Sequence, residues 1–377
     1  MKSALSNRDL LARLVAIDST SSRPNRPFSG FVREYLDLGG IRCEAFDCGG
    51  GYENLLLSVG PACTSGEGLL LCGHVDTVPA EEPEWTSDPF ELVERDGRLI
   101  GRGACDMKGF DAIAMNLLRE AAAHPPREPL QLLLTCCEEI GTIGAAKFAR
   151  DWPRDRALPR RALVGEPTSM RVVRGHKGHL TIAISVSGVA AHSGFPHKGV
   201  NAIERGALVV QALAVLRKQL AARRGPESSL FPEVPFPVLT SARIRGGTAI
   251  NVIPELCEID VGVRLLPGMD SARFMMELEE AVRAVVPDGA VSVQLRNETP
   301  AFATAANEPL HRELTGLMGQ ADECGVGFGT DAGRLAQLGL GCVIWGPGDI
   351  SNAHRADEWM PIDEFEQAAR LLRSLVR

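Results

Sequence analysis

The run LQLLLTCC at residues 130–137 is followed at once by two glutamates, Glu138 and Glu139. A run this apolar reads as a strand buried on both faces, as the strands of a parallel sheet are. Two adjacent carboxylates at its buried end repel one another and lose hydration unless cations neutralise them. Any fold of this chain therefore has to build a charge-compensating site at that end. The same device recurs in GLLLCGH at 68–74, which ends in His74 with Asp76 two residues on, and in RALVGEP at 161–167, which leads into Glu166. A helical stretch, KGFDAIAMNLLREAAA at 108–123, separates the runs. Strand and helix periods in alternation predict an α/β layer with a mostly parallel central sheet, whose strand carboxyl ends are where such sheets place sites.

From about residue 176 the texture changes. HLTIAISVSG alternates like a half-exposed strand, 200–222 reads as a long helix, PVLTSARIRGG and ELCEIDVGVRLLP read as strands, and 270–286 as a further helix. The order strand, helix, strand, strand, helix, strand predicts a separate α+β sandwich of ferredoxin-like type. The Gly, Pro and Ser-rich segment 223–236 is expected to be a loop within it. After 299 helix and buried strand return, so residues 1–175 and 299–377 are expected to form one domain and 176–298 an inserted one. The opening MKSALSNRDLLARLVAIDST is amphipathic but interrupted by Arg8, Asp9 and Arg13, which suits the first helix of a cytoplasmic protein and not a signal peptide. No stretch has the uncharged apolar length of a membrane span.

The 377 residues carry 48 acidic and 40 basic side chains, a net charge of −8, and only 5% aromatics. That balance argues against a nucleic-acid partner. With 45% hydrophobic and 23% charged residues, disorder is excluded as the main state. Ten cysteines are scattered without a CxxC pair, so they read as reduced, mostly buried thiols, with Cys72, Cys105 and Cys137 placed to fill a site wall rather than to bind metal.

The candidate chemistry lies in His74, Asp76, Asp106, Glu138, Glu139, Glu166 and His354. A carboxylate at Asp76 would orient the His74 imidazole and raise its ligand basicity, although a satisfied histidine in a strand turn reads equally well. Asp106, within GRGACDMKG at 101–109, also fits a helix N-cap. Taken together, His74, Asp106, Glu139, Glu166 and His354 are what two zinc-like ions need if one carboxylate bridges them. Glu138 is then left with the chemistry of a general base. Caps and salt bridges would have to coincide at several strand ends to explain the same set.

GHVDTVP at 73–79, GRGACDMKG at 101–109, CCEEIGTIGA at 136–145, GEPT at 165–168, AAHSG at 190–194 and GPGDISNAHRADEWM at 346–360 occur in that order. On these marks nearly the whole chain resembles the dinuclear zinc aminoacylase, carboxypeptidase and deacylase family, and hence its zinc-peptidase-like catalytic domain with a lid and dimerisation domain. The resemblance implies His74 and Glu166 on one zinc, Glu139 and His354 on the other, Asp106 bridging, Asp76 steadying His74 and Glu138 as base. It implies that His192 reaches a partner subunit's site to stabilise the oxyanion, and that Asn251 and Arg264 bind the substrate carboxylate. Cobalt or manganese would suit the same donors as zinc.

Within the family, GHKG at 175–178, GTDAG at 329–333 and the late GPGDISNAHRADEW segment look more like the acetylornithine deacetylases than the succinyl-diaminopimelate desuccinylases. Asp331 departs from the Glu often found there; it either faces a cationic substrate side chain or sits in a turn. The expectation is a cytoplasmic homodimer, joined through the inserted domain, that hydrolyses an N-acyl amino acid, with N2-acetyl-L-ornithine the first choice. Succinyl-diaminopimelate, acetylcitrulline and dipeptides are the alternatives within the family, and a non-catalytic ligand-binding relative is the alternative outside it. Two divalent ions would bring the net charge to about −4, so part of the acidic excess belongs to the site.

Overall fold

The computed structural model describes residues 4–287 and 289–376. Contacts divide the chain into two compact units, one made of Met1–Arg174, Thr304–Glu323 and Thr330–Arg377, the other of Gly175–Ala303 and Cys324–Gly329.

The first unit opens with helices α1 (Asn7–Val15) and α2 (Arg26–Tyr35), the hairpin β1 (Arg42–Gly49) and β2 (Tyr52–Val59), and β3 (Leu69–His74). A small pair, β4 (Val93–Arg95) and β5 (Arg98–Ile100), precedes α3 (Lys108–Ala123), β6 (Leu130–Thr135), α4 (Ile143–Asp151) and β7 (Arg161–Val164). The second unit follows with β8 (Gly175–His176), β9 (Gly178–Ser187), β10 (Ala191–His192), α5 (Ala202–Ala221), β11 (Val238–Gly246), β12 (Val252–Ile253), β13 (Leu256–Leu265), α6 (Ser271–Arg283), β14 (Val291–Thr299) and β15 (Phe302–Ala303). The chain then returns to the first unit for α7 (Pro309–Met318), α8 (Ala332–Ala336), β16 (Gly341–Ile344), β17 (Trp359–Pro361) and α9 (Ile362–Leu375).

The main sheet of the first unit has the order β1-β2-β6-β3-β7-β16. Strands β6, β3, β7 and β16 run parallel, and β1 and β2 add an antiparallel edge. Every residue of β3 and β6 is buried, which is why these strands read as unbroken apolar runs, whereas the edge strand β1 alternates. α3 is buried from Lys108 to Leu118 without interruption, and with α1, α2 and α9 it completes a core that includes Leu10, Phe28, Phe110, Met115, Trp345 and Phe365. The parallel register sets Cys72 beside Leu133 and Val164, so β3, β6 and β7 end at one level. The polar residues that follow them therefore emerge side by side.

The second unit holds a four-stranded antiparallel sheet ordered β11-β13-β9-β14, which with α5 and α6 is the ferredoxin-like arrangement. Leu180, Ile182, Ile184 and Val186 of β9 pack with Ile259, Val261 and Val263 of β13 against Val209, Leu213, Phe274 and Leu278 of the two helices. The period of two leaves His179, Thr181, Asp260 and Arg264 on the other face, partly exposed. The 223–236 segment is irregular apart from one 3₁₀ turn at Ser228–Leu230 and belongs to this unit.

Gly165, between β7 and Glu166, is a tight point beneath the strand ends: a Cβ there would lie 2.0 Å from Phe110 Cγ, a ring fixed in the core. Gly165→Ala is expected to destabilise the protein by about 1–3 kcal/mol through overpacking. Urea denaturation is the check, and an unchanged midpoint would count against this packing.

Candidate metal centre

β3 ends on His74, β6 runs through Cys136 and Cys137 into Glu138 and Glu139, and β7 runs through Gly165 into Glu166. The segment between β5 and α3 adds Asp106, and the loop before β17 adds His354, held in a left-handed backbone with φ 58°. Asp106 lies at the middle. Its Oδ1 is 2.9 Å from His74 Nε2 and its Oδ2 is 3.2 Å from His354 Nε2. His354 Nε2 is also 3.0 Å from Glu139 Oε2, and donor atoms of His74, Asp106 and Glu139 all lie within 4.8 Å of one another. One carboxylate thus presents an oxygen to each of two imidazoles, the geometry a bridging ligand needs.

Charge is concentrated here. Burial opposes the charged form of His74, yet its hydrogen bond to Asp106 and the charges of Asp106, Glu166 and Glu138 raise its pKa well above the ordinary imidazole value. His354 is pushed up to about 10 by hydrogen bonds to Asp106 and Glu139. Burial would lift Asp106, but His354 and His74 hold it below the usual carboxylate range. Burial, with the charges of Glu166, Asp331 and Glu139, pushes Glu138 well up, and burial with Asp106 does the same to Glu166. Glu139 rises to about 6, through burial and then Asp106.

This donor set fits divalent metal ions. Four carboxylates and the buried imidazole of His74 crowd together with the exposed imidazole of His354 at their edge, while the nearby buried cations are engaged elsewhere. Lys108 Nζ donates to the Ile17 carbonyl at 2.9 Å, and Arg102 pairs with Glu358 and Glu82, each at 2.8 Å. Oxygen and nitrogen donors of this kind are ligands that several divalent ions take. His74, Asp106, Glu139 and His354 meet directly; Glu166 is buried and interacts electrostatically with Asp106 and His74.

The expected contact between the Asp76 carboxylate and the His74 ring is not what forms. His74 Nδ1 instead lies 3.0 Å from the Asp76 backbone carbonyl. The carboxylate turns the other way, where Oδ1 accepts the Glu138 N–H at 3.0 Å, Oδ2 accepts the Glu139 N–H at 3.2 Å, and Ser21 Oγ donates to Oδ2 at 2.7 Å. The reason is backbone satisfaction: past the end of β6 these two N–H groups have no ladder partner, and Asp76 supplies acceptors. Asp76 therefore orients His74 with its main chain and Glu138 and Glu139 with its side chain.

A second support was not legible in the sequence. Glu358 Oε1 accepts the backbone N–H groups of Cys105 and Asp106, each at 3.0 Å, and its Oε2 takes the Arg102 guanidinium at 2.8 Å. Arg102 and Glu358 are both buried, and Arg102 also reaches the carbonyls of Pro79 and Arg355. One ion pair thus fastens the Asp106 segment to the His354 loop. Asp331 sits in the turn that leads into α8, and that turn is buried: the residue is 2% exposed, and Thr135 Oγ1 donates to its Oδ2 at 2.5 Å. Burial raises it to about 6. Asp111, also buried, lies against the backbone of Gly73, where a Cβ would meet its Oδ1 at 2.0 Å.

The remaining candidates are in the second unit. His192 is exposed on β10, which pairs with β12 so that His192 faces Val252, and the Ser193 N–H donates to the Asn251 carbonyl at 2.9 Å. His192 and Asn251 are thus neighbours. Arg264 lies on β13 directly across from His179 of β9.

The sequence profile of Peptidase family M20/M25/M40 matches residues 70–377. A protein of Proteus mirabilis named acetylornithine deacetylase is 34% identical over 377 residues, covering 98% of this chain and 94% of that one. One of the same name from Myxococcus xanthus is 35% identical, covering 98% and 96%. Among solved structures, the M20 family metallo-carboxypeptidase Sso-CP2 of Sulfolobus solfataricus superposes with a TM-score of 0.76 over 99% of this chain and 98% of that one, at 16% identity, a likeness of fold.

Two measurements probe the centre. Arg102→Leu strands the buried Glu358 carboxylate and should cost about 3–5 kcal/mol, with part of the loss recovered in the Arg102→Leu, Glu358→Leu double variant; equal stability of single variant and parent in denaturant would contradict the pairing. In chelated protein His354 keeps its proton up to about pH 10 instead of its ordinary 6.5, so the stability this gives is complete below pH 6.5 and fades as pH rises through about 10. A metal must displace that proton, so zinc affinity should tighten with pH across this window and binding should release protons. Calorimetry in buffers of different ionisation enthalpy reads the release, and a buffer-independent heat would argue against it.

Proposed function

We propose, for a chain that belongs to peptidase family M20/M25/M40, that it is a dinuclear zinc amidohydrolase cleaving N2-acetyl-L-ornithine to L-ornithine and acetate for arginine synthesis. The observation that carries the chemistry is Asp106, one oxygen toward His74 and the other toward His354. The substrate follows from the near full-length relatives named for it.

In this reading Asp106 would be shared by two ions, His74 and Glu166 would hold one, and Glu139 and His354 the other. Such ions would supply polarisation of the scissile carbonyl and a lowered pKa for the attacking water. Glu138 takes the water's proton and returns it to the departing nitrogen; a carboxyl whose pKa burial has raised is suited to both transfers. Asp76 keeps Glu138 in place through the Glu138 N–H. His192, exposed on its strand, serves the oxyanion of a partner subunit. Asn251 beside it and Arg264, with its planar fork of donors, receive the substrate carboxylate.

A homodimer joined through the second unit is supported by the apolar side chains that unit exposes, among them Leu208, Val215, Ile244 and Leu256. The ten free cysteines agree with a reducing cytoplasm.

The test is an activity panel of acetylornithine, acetylcitrulline, succinyl-diaminopimelate, acetylated amino acids and dipeptides on zinc-loaded and chelated protein. Acetylornithine is expected to give the highest kcat/KM and chelation to abolish turnover; no hydrolysis of any of them with metal bound would overturn the reading. Glu138→Gln should keep its zinc while kcat falls about 10²–10⁴-fold. A near-normal rate would remove Glu138 from the role of base.

A further inference from the structure

Asp331 is a buried acid that neither holds a proposed ion nor moves a proton. Helix capping does not explain it. Thr330 Oγ1 accepts the Ala332 N–H at 3.1 Å, and the Asp331 carbonyl takes the N–H groups of Arg334 and Leu335, each at 3.0 Å, so α8 starts without help from the Asp331 side chain. That side chain leaves the helix and meets β6, where Thr135 Oγ1 donates to Oδ2 at 2.5 Å.

Thr135 ties this carboxyl to the centre. It is the last residue of β6, it lies opposite His74 in the parallel register with β3, and its carbonyl accepts the Val75 N–H at 2.9 Å. Its Oγ1 is also 3.3 Å from the Gly73 carbonyl. One hydroxyl therefore separates the Asp331 carboxyl from the strand end that carries His74. The other oxygen, Oδ1, is buried and accepts no hydrogen bond among the described residues. Neither oxygen belongs to the donor atoms of His74, Asp106 and Glu139 that converge within 4.8 Å, so Asp331 stands outside that group of ligands.

A carboxylate is a poor choice for this position if the hydrogen bond is its whole task. Asparagine has the same outline, offers Thr135 an oxygen and carries no charge, whereas a buried carboxylate with one oxygen left open loses hydration that nothing restores. The surroundings make the charge costlier still: Glu138, Glu166 and Asp76 act on it as like charges, with His74 and Arg334 of α8 opposing. Burial lifts its pKa to about 6, so at neutral pH it is still mostly ionised. What asparagine would lack is the negative charge itself.

We propose that Asp331 serves the centre through its charge, as an outer carboxylate that tightens the hold on divalent ions without ligating them. In ion-free protein the charge adds to the repulsion among the surrounding acids. Once ions are bound the same charge attracts them, and between buried groups such attraction is screened little by solvent and salt. Removing the charge therefore relieves the chelated protein and weakens the loaded one. Thr135 is the partner that keeps the carboxyl at the strand end.

The inference rests on the reading of this cluster as a divalent-ion centre, not on any particular acyl amino acid. Zinc dissociation constants are measured by competition with a chromophoric chelator, and urea midpoints on chelated protein, for the parent and for Asp331→Asn. The variant is expected to bind zinc about 10–100-fold more weakly while its chelated midpoint stays level or rises. An acceptor with a structural role alone predicts instead an Asn variant equal to the parent in zinc affinity, and that result overturns the proposal. Weaker zinc together with a lowered chelated midpoint also overturns it, since damage to the strand end then accounts for the loss. If Asp331→Asn does not accumulate folded, Asp331→Glu and Asp331→Gln, which differ chiefly in charge, take its place: Glu has to bind zinc more tightly than Gln, and equal affinities reject the role of charge. A parent that takes up no divalent ion brings down the metal-centre reading and this inference with it, whereas a parent that binds zinc and an Asn variant that matches it bring down the inference alone.

Discussion

Mutual repulsion among buried carboxylates is the constraint that the first unit is organised around. Glu138, Glu139 and Glu166 past the ends of β6 and β7 gather with Asp106 and Asp331, and burial pushes every one of these carboxyls up, an effect the imidazoles outweigh only at Asp106. Without compensating charge such a cluster would take up protons or pull its strands apart. Two imidazoles compensate part of it, each on its own oxygen of Asp106. Divalent ions would supply the rest, so metal binding and the folded geometry of the strand ends are expected to be coupled.

The scaffold meets this repulsion with fixed acceptors and donors. Asp76 satisfies the two N–H groups that β6 leaves open, and Glu358 does the same for Cys105 and Asp106. Each of these second carboxylates is itself held, Asp76 by Ser21 and Glu358 by Arg102. The candidate ligands are thus oriented by main-chain hydrogen bonds from both sides, which limits how far they relax when the charge between them changes. Glycines at 73 and 165 belong to the same design, since Asp111 and Phe110 occupy the space a side chain would need.

The second unit is built on other physics. Its sheet buries one apolar face beneath α5 and α6 and leaves a polar one, with Arg264 and His179 paired across strands. His192 and Asn251 are neighbours by strand pairing, with no charge cluster between them. Family resemblance was therefore needed to single these residues out, because an exposed histidine in a turn and an arginine on an open sheet face carry no chemical signature of their own.

Periodicity made most of the architecture legible. Unbroken apolar runs at 69–74 and 130–135 required strands covered on both faces, alternation in 178–187 and 256–265 required a half-open sheet, and acids and histidines at run ends marked the site. These features are local, and burial imposes them residue by residue on any fold of the chain. What local pattern does not contain is which acceptor answers which donor. Asp76 uses its carbonyl for His74 and its carboxylate for residues 62 and 63 positions away; Arg102 finds Glu358 across 256. Asp331 turns inward to Thr135 across 196 positions. Such pairings depend on strand order and register, and only the tertiary structure decides them, because hydrogen-bond satisfaction in a buried site is settled by what the fold brings within about 3 Å.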